Sequence, residues 1–211
     1  MASPHISQAL LHRLPGYLNY LKSLPGGDHY ISATTIANAL GLGDVQVRKD
    51  LAAISDAGRR RTGRSRDQLI RDIESYLGFS SSAATVVVGA GPMGQAFLDY
   101  SGFDQSGLEI LACFDRDPSV HHSRRGRPIY PLSLLQEFCQ THRVRVGIIA
   151  LPVEDAQAAC DLLTGSGVRA IWNLSPTHLR IAPGVTVHNE NFAASVSTLL
   201  AQLREVESGN L

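Results

Sequence analysis

The sequence predicts an α/β protein in two parts: a small helical part at the N-terminus and a larger part built on a parallel β-sheet. Charge is segregated, since residues 1–80 hold ten Lys and Arg against seven Asp and Glu, whereas the rest of the chain holds nine against twelve. Apolar residues before position 80 recur at helical spacing. After position 84, short β-branched runs alternate with helical segments, which is typical of a parallel sheet covered by helices. A chain of 211 residues has room for two small domains.

The first helix is predicted within residues 7–24, where Pro15 either starts or kinks it. Its apolar face consists of leucines at helical spacing, namely Leu10, Leu11, Leu14, Leu18 and Leu21. The segment PGGD at 25–28 predicts a turn before the next helix.

Two short helices joined by a glycine turn follow. Ser32 is the predicted N-cap of the first, and GLGD at 41–44 forms the turn. In the second helix, Val47, Leu51 and Ile54 form the inward face. The outward positions are Gln46, Arg48, Lys49 and Ala52. This is the helix-turn-helix pattern, and its basic outer face suits the major groove of DNA, although an ordinary helical hairpin with a solvated face fits the same residues.

An arginine-rich segment follows this pattern directly. Five arginines lie within eight residues: Arg59, Arg60, Arg61, Arg64 and Arg66. A short hairpin carrying them would form a basic wing that contacts phosphates and the minor groove. Such a run is often only a solvated loop, but its place beside a helix-turn-helix favours DNA binding. Asp67 is the predicted cap of a further helix, and residues 79–84 have the composition of a linker.

The segment that begins at residue 85 predicts a dinucleotide site. A β-branched strand, 85–88, precedes the loop Gly89-Ala90-Gly91-Pro92-Met93-Gly94, and a helix follows it. In such a loop the first glycine permits a tight turn, the second lets the backbone approach a pyrophosphate, and the third lets the helix pack on the strand. The pyrophosphate would lie on the N–H groups at the helix N-terminus.

An acidic residue in the expected place identifies the dinucleotide more closely. Asp115 ends a second predicted strand, 108–115, and lies 21 residues after Gly94. A carboxylate there binds the 2′-hydroxyl of the adenosine ribose and repels a 2′-phosphate, which favours NAD(H) over NADP(H). Arg116 is adjacent and would weaken that preference.

Alternation continues to the end of the chain. Helices are predicted at 131–141 and 153–164, and strands at 146–151, 170–174 and 185–189. The last helix has an apolar face that a closed sheet domain does not need: Phe192, Val196, Leu199, Leu200 and Leu203. The domains are therefore expected at 1–78 and 85–211, with 79–84 as the linker and 188–207 as a terminal helix for a dimer.

Several classes of function are disfavoured by what the sequence lacks. Three scattered cysteines and eight histidines show no metal-binding spacing, so no metal is expected. No apolar run is long enough to span a membrane, and the first residues do not resemble a secretory signal. The sheet occupies almost all of 84–211 and leaves no room for a substrate domain, and no catalytic motif stands out. The nucleotide is thus expected to be a signal and the protein not an enzyme.

In its motifs the chain resembles the Rex family of redox-sensing transcriptional repressors. The combination of QVRKDL (46–51), GAGPMG (89–94) and FDRDP (114–118) is highly specific. Further matching stretches are RLPGYLNYL (13–21), RPIYPLSLL (127–135), IIALPVEDAQ (148–157), WNLSPTHL (172–179) and VTVHNENF (185–192). The resemblance implies a winged-helix DNA-binding domain followed by a Rossmann domain, with the C-terminal helix swapped in a homodimer. It also implies a cytoplasmic repressor that binds a palindromic operator in double-stranded DNA and leaves it when NADH binds.

The resemblance also assigns roles to residues. DNA contacts would come from Arg48 and Lys49 in the recognition helix and from Arg59 and Arg60 in the wing. The cofactor site would comprise the loop 89–94 with Asp115, while Pro152, Asn173 and the residues up to Pro176 would line the nicotinamide side. Phe192 corresponds to an aromatic residue that the swapped partner inserts near the nicotinamide. Arg13 and Tyr100 correspond to two members of a polar trio that links the domains.

Four positions depart from the family pattern. Arg61 and Arg64 stand where the wing commonly has Gly and Tyr, Pro92 replaces the usual Asn of the loop, and Asn191 occupies the place of the trio's acidic member. An Asn accepts hydrogen bonds but cannot pair ionically with Arg13. Two alternatives therefore accompany the repressor hypothesis: a family member whose NADH response is lost or retuned, and an NAD-dependent oxidoreductase with an added regulatory domain.

Overall fold

The computed structural model describes residues 7–26, 30–55, 63–79, 82–117 and 121–208. The chain divides into two compact units, Met1–Ser81 and Ser82–Leu211. The division falls inside the segment 79–84 that the sequence predicts to be a linker.

The N-terminal unit is a helical domain with one two-stranded sheet. Its elements are α1 (Gln8–Ser23), β1 (Tyr30–Ile31), α2 (Ala33–Leu40), α3 (Asp44–Ile54), β2 (Arg64–Ser65) and α4 (Arg66–Tyr76). Strands β1 and β2 pair antiparallel, with Tyr30 opposite Ser65. The core brings together the apolar faces of the four helices, including the buried residues Leu14, Tyr17, Leu21, Ile36, Val47, Leu51, Leu69 and Ile73.

Local signals in this unit are partly confirmed. Ser32 caps α2, because its hydroxyl accepts a hydrogen bond from the Thr35 N–H at 3.0 Å. Gly41 ends α2 in the left-handed conformation, with φ of +64°. Pro15 lies inside α1, so of the two predicted alternatives it does not start the helix, and a kink stays a prediction. One expectation was wrong: the N-cap of α4 is Ser65, whose hydroxyl faces the Gln68 N–H, so that Asp67 lies in the first turn.

The C-terminal unit is a six-stranded parallel sheet with helices on both faces. Its elements are β3 (Ala83–Val88), α5 (Pro92–Asp99), β4 (Leu108–Asp115), β5 (Ile129–Pro131), α6 (Leu135–Thr141), β6 (Val146–Ile149), α7 (Val153–Gly165), β7 (Ala170–Asn173), β8 (Thr186–Asn189) and α8 (Phe192–Glu207). The strand order is β5-β4-β3-β6-β7-β8. The order reverses between β3 and β6, and ligands of such sheets bind at that switch point, beyond the carboxyl ends of the strands.

One strand of this sheet was not predicted. The sequence predicts a helix over 131–141, but Pro131 ends β5, Leu132–Leu134 form a 3-10 turn, and α6 begins at Leu135. The strand is only three residues long and lies at the edge of the sheet, where proline is tolerated. So short a strand carries no alternation of apolar and polar residues that a sequence pattern could detect.

Side chains of the sheet point alternately to two apolar layers. Val86 and Val88 pack with residues of α6 and α7, whereas Val87 packs with Leu98 of α5. Helix α8 is different, since none of its residues is buried. Its exposed apolar residues are Phe192, Val196, Leu199, Leu200, Leu203 and Val206. Among the described helices, none is long and apolar enough to cross a membrane.

Candidate functional site

The loop between β3 and α5 has the backbone of a dinucleotide-binding loop. Gly89 has φ of +106°, and a Cβ there would overlap the carbonyl group of Ala150. At Gly94 a Cβ would overlap the carbonyl oxygen of Gly89. By contrast, a Cβ at Gly91 would meet nothing within 4 Å, so the backbone there is open to a ligand. The three glycines thus occupy the places that the sequence predicts for a turn, a ligand approach and a helix contact.

Helix α5 begins at the position that Pro92 can tolerate. Gly91 is its N-cap and Pro92 is its first residue, where a missing N–H costs no helical hydrogen bond. The N–H groups of Met93 and Gly94 belong to the first turn and have no acceptor within the helix. They remain available to an anion, so the replacement of the family's Asn by Pro92 does not remove the pyrophosphate donors that follow it.

Asp115 is connected to the loop before any ligand binds. It ends β4, and its Oδ2 accepts a hydrogen bond from the Ala90 N–H at 2.6 Å. Its Oδ1 accepts one from the Asp117 N–H at 3.2 Å. Each carboxylate oxygen can accept more than one hydrogen bond, so this arrangement orients the carboxylate and leaves it able to accept from ribose hydroxyls.

A cavity of about 440 Å³ lies beside this carboxylate. Most of its wall is apolar: Val88, Phe114, Leu132, Leu151, Ala158, Ala159 and Leu162. Asp115, Arg116 and Asp155 supply the polar part of the lining. The Arg116 Nη2 lies 2.8 Å from Asp155 Oδ1. An apolar slot with an acid at its edge suits an adenine ring whose ribose reaches that acid.

A second, more polar cavity of about 420 Å³ lies beyond the carboxyl ends of β7 and β8. It is lined by Ser175, Pro176, Thr177, His178, Asn189, Glu190, Asn191 and Ala193. Ser175 is buried, and its Oγ has no hydrogen-bond partner among the described residues. A ligand group in this cavity could therefore bond to a hydroxyl that the protein leaves unsatisfied.

Asn173 does not line that cavity, and its predicted contact with the cofactor stays a prediction. It is fully buried, and its Nδ2 donates to the Thr177 carbonyl at 2.7 Å and to Asn189 Oδ1 at 2.9 Å. Its Oδ1 accepts from the Ser175 N–H at 3.1 Å. All of these bonds hold the loop 173–177 in place, so Asn173 supports the cavity wall from behind. Pro152 is exposed at the start of α7.

Each of the three predicted switch residues has contacts within its own unit. Tyr100 is exposed, and its ring packs edge-on against Phe103 at 4.8 Å between centroids. Asn191 is the N-cap of α8, and its Oδ1 accepts from the Ala194 N–H at 2.9 Å. Asn191 thus starts the helix whose first residue is the exposed Phe192. Arg13 is engaged within the N-terminal unit, and the role of these residues as a trio stays a prediction.

The partner of Arg13 is a buried aspartate on α3. Arg13 donates from Nε to Asp50 Oδ2 at 2.6 Å and from Nη2 to Asp50 Oδ1 at 2.9 Å. Tyr17 Oη donates to Oδ2 at 2.7 Å, and Gln46 Nε2 donates to Oδ1 at 2.8 Å. Burial acts to raise the pKa of the Asp50 carboxyl, but the hydrogen bonds from its three partners lower it below its ordinary value. The carboxylate therefore ties α3 to α1, a role that the sequence did not reveal.

The outward face of α3 agrees with the helical spacing. Gln46, Arg48 and Lys49 are exposed, whereas Val47 and Leu51 are buried. Arg48 pairs with Asp44 one turn earlier at 2.8 Å, and its side chain is 66% exposed. Within the described residues, Lys49 has no hydrogen bond or ion pair. This face therefore exposes the cations of Arg48 and Lys49, which a DNA groove can contact.

Only part of the predicted wing can be compared with the structure. Arg59, Arg60 and Arg61 lie outside the described residues. Arg64 lies in β2, where burial lowers the pKa of its guanidinium, and its Nε has no hydrogen-bond partner among the described residues. Arg66 was wrongly assigned to the wing, because it donates to the carbonyls of Leu21 and Leu24 and to Asp67, which fixes the end of α1 to α4.

The three cysteines are buried thiols. Burial raises the pKa of Cys113 to about 12 and that of Cys139 to about 11, and it raises the pKa of Cys160 as well. Because the thiolate is the reactive form, these groups are poor nucleophiles at neutral pH. No group of His, Cys, Asp and Glu in the described ranges could hold a metal ion.

Comparison with known proteins covers both units. Residues 5–52 match the family described as "Putative DNA-binding protein N-terminus", and residues 80–177 match the family described as "CoA binding domain". The redox-sensing transcriptional repressor Rex of Bacteroides fragilis is 34% identical over 203 residues, which are 95% of this chain and 92% of that protein. Rex of Clostridium botulinum is 36% identical over 203 residues, which are 95% of this chain and 97% of that protein.

Solved structures agree with the sequence relatives. The crystal structure of RSP with β-NAD⁺ and operator DNA has a TM-score of 0.88 and 28% identity, covering 99% of this chain and 97% of RSP. The structure of RSP with β-NADH has a TM-score of 0.87 and 27% identity and covers 99% of both chains. RSP is itself a Rex-family repressor.

These matches confirm the predicted architecture of a DNA-binding domain followed by a Rossmann-type domain. The relatives are transcriptional repressors, in agreement with the expectation that the chain is not an enzyme. With identities of 34% and 36% over 95% of its length, and with the glycine loop and the helix-turn-helix in place, this chain belongs to the Rex family of redox-sensing transcriptional repressors.

Proposed function

We propose that this chain represses transcription as a homodimer that binds a palindromic operator and leaves it when NADH binds the C-terminal unit. The proposal rests on the combination of two features in one chain. The loop 89–94 is hydrogen-bonded to Asp115, and the second helix of the helix-turn-helix exposes Gln46, Arg48 and Lys49. RSP, which is 28% identical, has been crystallised with NAD⁺ and operator DNA and also with NADH.

On the DNA side, α3 is the element that would enter the major groove. Arg48 pairs with Asp44 in an exposed i,i+4 arrangement, which contributes only about 0.5 kcal/mol. Arg48 can therefore exchange Asp44 for a guanine edge at little loss. Lys49 would bind a phosphate, and Gln46 would reach a base edge beside it. The arginines of the wing, Arg59 to Arg61 and Arg64, would add phosphate contacts.

On the ligand side, the two nicotinamide dinucleotides share the parts that the loop would recognise. The pyrophosphate would lie on the N–H groups of Met93 and Gly94, the adenine in the apolar cavity, and the ribose on Asp115. A preference for NADH over NAD⁺ would arise at the nicotinamide. The polar cavity around Ser175 and His178, with Phe192 at its helix, is the place where we expect that discrimination.

Coenzyme A is a second candidate ligand, because residues 80–177 match a CoA binding domain. Its adenosine ribose carries a 3′-phosphate, which would approach the Asp115 carboxylate. Like charges at hydrogen-bond distance repel strongly where solvent screening is weak. We therefore expect CoA to bind more weakly than NADH, and a competition assay between the two distinguishes these ligands.

A dimer and a cytoplasmic location complete the proposal. A palindromic operator presents two half-sites, and each winged helix reads one of them. The exposed apolar face of α8 offers a surface for the second copy, with the helix swapped between protomers as the family resemblance implies. A repressor that reads operator DNA and the NADH pool works where both are present, which in bacteria is the cytoplasm.

Operator binding titrated separately with NADH and NAD⁺ tests the function. We expect NADH to lower the affinity for an operator duplex at least about tenfold, because a ligand shifts such an equilibrium by its differential affinity for the two states. NAD⁺ should change it much less. Equal operator affinity with and without saturating NADH would contradict the proposed response while leaving DNA binding intact.

The variant Asn191→Asp separates a normal from a retuned response. If Asn191 weakens the switch, the restored carboxylate should increase the effect of NADH on operator affinity. If the switch is already complete, the effect should change less than about twofold. Asn191→Ser is the matched control, since Ser also caps a helix N-terminus but carries no charge.

A further inference from the structure

The cavity beside Asp115 has a second acid at its mouth that the nucleotide motif does not explain. Asp155 lies in the first turn of α7, and its Oδ1 is 2.8 Å from Arg116 Nη2. Both residues line the cavity together with Asp115. Arg116 is thus the basic residue next to Asp115, the carboxylate proposed to bind the ribose, and it is already paired with Asp155.

The chemistry of the ribose indicates a role for the Arg116–Asp155 pair in ligand selectivity. A dinucleotide with a 2′-phosphate places negative charge at the position where NADH has a hydroxyl. An arginine near the acid is the group that accommodates such a phosphate in dinucleotide-binding folds. Arg116 has the right charge and the right place in the sequence, directly after Asp115. Its guanidinium is instead held towards α7 by a partner of opposite charge.

We propose that Asp155 is a specificity-determining residue that excludes dinucleotides carrying a 2′-phosphate, because it withholds Arg116 from the ribose and adds negative charge to the cavity mouth. This inference rests on the proposed binding of NADH. With Asp155 in place, the cavity mouth holds two carboxylates and one guanidinium, which is unfavourable for a phosphate dianion and neutral towards a hydroxyl. When the charge of Asp155 is removed, Arg116 is free to form charge-assisted hydrogen bonds with the phosphate.

The test measures the dissociation constants of NADH and NADPH for the full chain by calorimetry. In the variant Asp155→Asn, NADPH should bind about tenfold more tightly, the gain expected from one hydrogen bond between charged groups. NADH should change less than about twofold, because its ribose has no phosphate to meet Arg116. Asp155→Glu keeps the charge and should keep the original selectivity.

Two matched variants show whether the gain passes through Arg116. Glu154→Gln removes the same charge one residue away, at an exposed position that does not line the cavity, and should leave the NADPH affinity nearly unchanged. In the double variant Asp155→Asn with Arg116→Ala, the gain should disappear. An unchanged NADPH affinity in Asp155→Asn, an equal gain in Glu154→Gln, or a gain that survives loss of Arg116 would each overturn the inference. If the unmodified chain bound no NADH, the proposed function itself would fall and this inference with it.

Discussion

Two arginine–aspartate pairs in this protein have nearly the same shortest distance but different geometry and surroundings. The Nε of Arg13 lies 2.6 Å from Asp50, and the Nη2 of Arg116 lies 2.8 Å from Asp155. The side chains of Arg13 and Asp50 are 25% and 5% exposed, and Asp50 also accepts from Tyr17 and Gln46. Those of Arg116 and Asp155 are 75% and 36% exposed. Distance alone therefore does not rank ion pairs, because water screens the second pair more strongly than the first. We infer that the first holds the domain together, whereas the second contributes little to folding and acts through the charge it sets at the cavity mouth.

The largest expected effect comes from removing the buried acid. Asp50→Ala leaves Arg13 and Tyr17 without their partner in a poorly solvated place, which should lower the free energy of unfolding by about 3 kcal/mol. Urea denaturation of the full chain, followed by circular dichroism, measures this loss. Asp155→Ala is the control and should change stability by less than about 0.5 kcal/mol. Equal losses in the two variants would contradict the comparison.

Low pH should lower the free energy of unfolding less than Asp50→Ala does, because protonation removes the charge of Asp50 but not its side chain. The pKa of Asp50 is lowered in the folded protein, so its contribution to stability is fully present above the unfolded value of about 3.9. That contribution should be lost as the pH falls from about 4 through the folded pKa. Denaturation curves of the original chain and of Asp50→Asn, measured at a series of acidic pH values, should therefore converge towards low pH. Parallel curves would count against a charged Asp50 as the stabilising group.

The exposed cations of α3, Arg48 and Lys49, should have the smallest effect on stability and a clear effect on DNA binding if α3 is the recognition helix we propose. Arg48→Ala and Lys49→Ala should each change the free energy of unfolding by less than about 0.5 kcal/mol. Operator affinity should fall in both, by about 1–3 kcal/mol for a base contact. Lys49→Ala should weaken binding to all sequences and reduce the salt dependence, whereas Arg48→Ala should also relax base preference. If neither change affects operator binding, α3 is not the recognition helix.

The backbone of the glycine loop could be predicted because its determinants are local. Gly89, Gly91 and Gly94 lie in one loop, and the structure gives each the backbone environment that its spacing predicts. Asp115 follows at the end of the next strand, where parallel pairing brings it beside the loop. In such a motif, sequence distance and spatial distance are linked by the fold itself, so a pattern of residue types is enough.

The polar network of α1 and α3 could not be predicted in the same way. Arg13 and Asp50 are 37 residues apart, and the acid directly follows the exposed Arg48 and Lys49 on a helix with a basic face. The only local signals were the i,i+4 spacings of Arg13 with Tyr17 and of Gln46 with Asp50, which place each pair on one helix face. Arg66 was misassigned for a related reason: a run of arginines does not reveal which member bonds to distant carbonyl groups.

Because its thiols are buried, the protein would return to its ligand-free state without the help of reducing enzymes. A sensor that oxidises its own cysteines stores the signal in a covalent bond, and reducing enzymes must then reverse it. Here Cys113, Cys139 and Cys160 lie in the core with raised pKa values, out of reach of that chemistry. The response would instead last only as long as a dinucleotide stays bound. Such a regulator responds to the current NADH level of the cell, and past oxidative damage leaves no covalent change that prolongs the response.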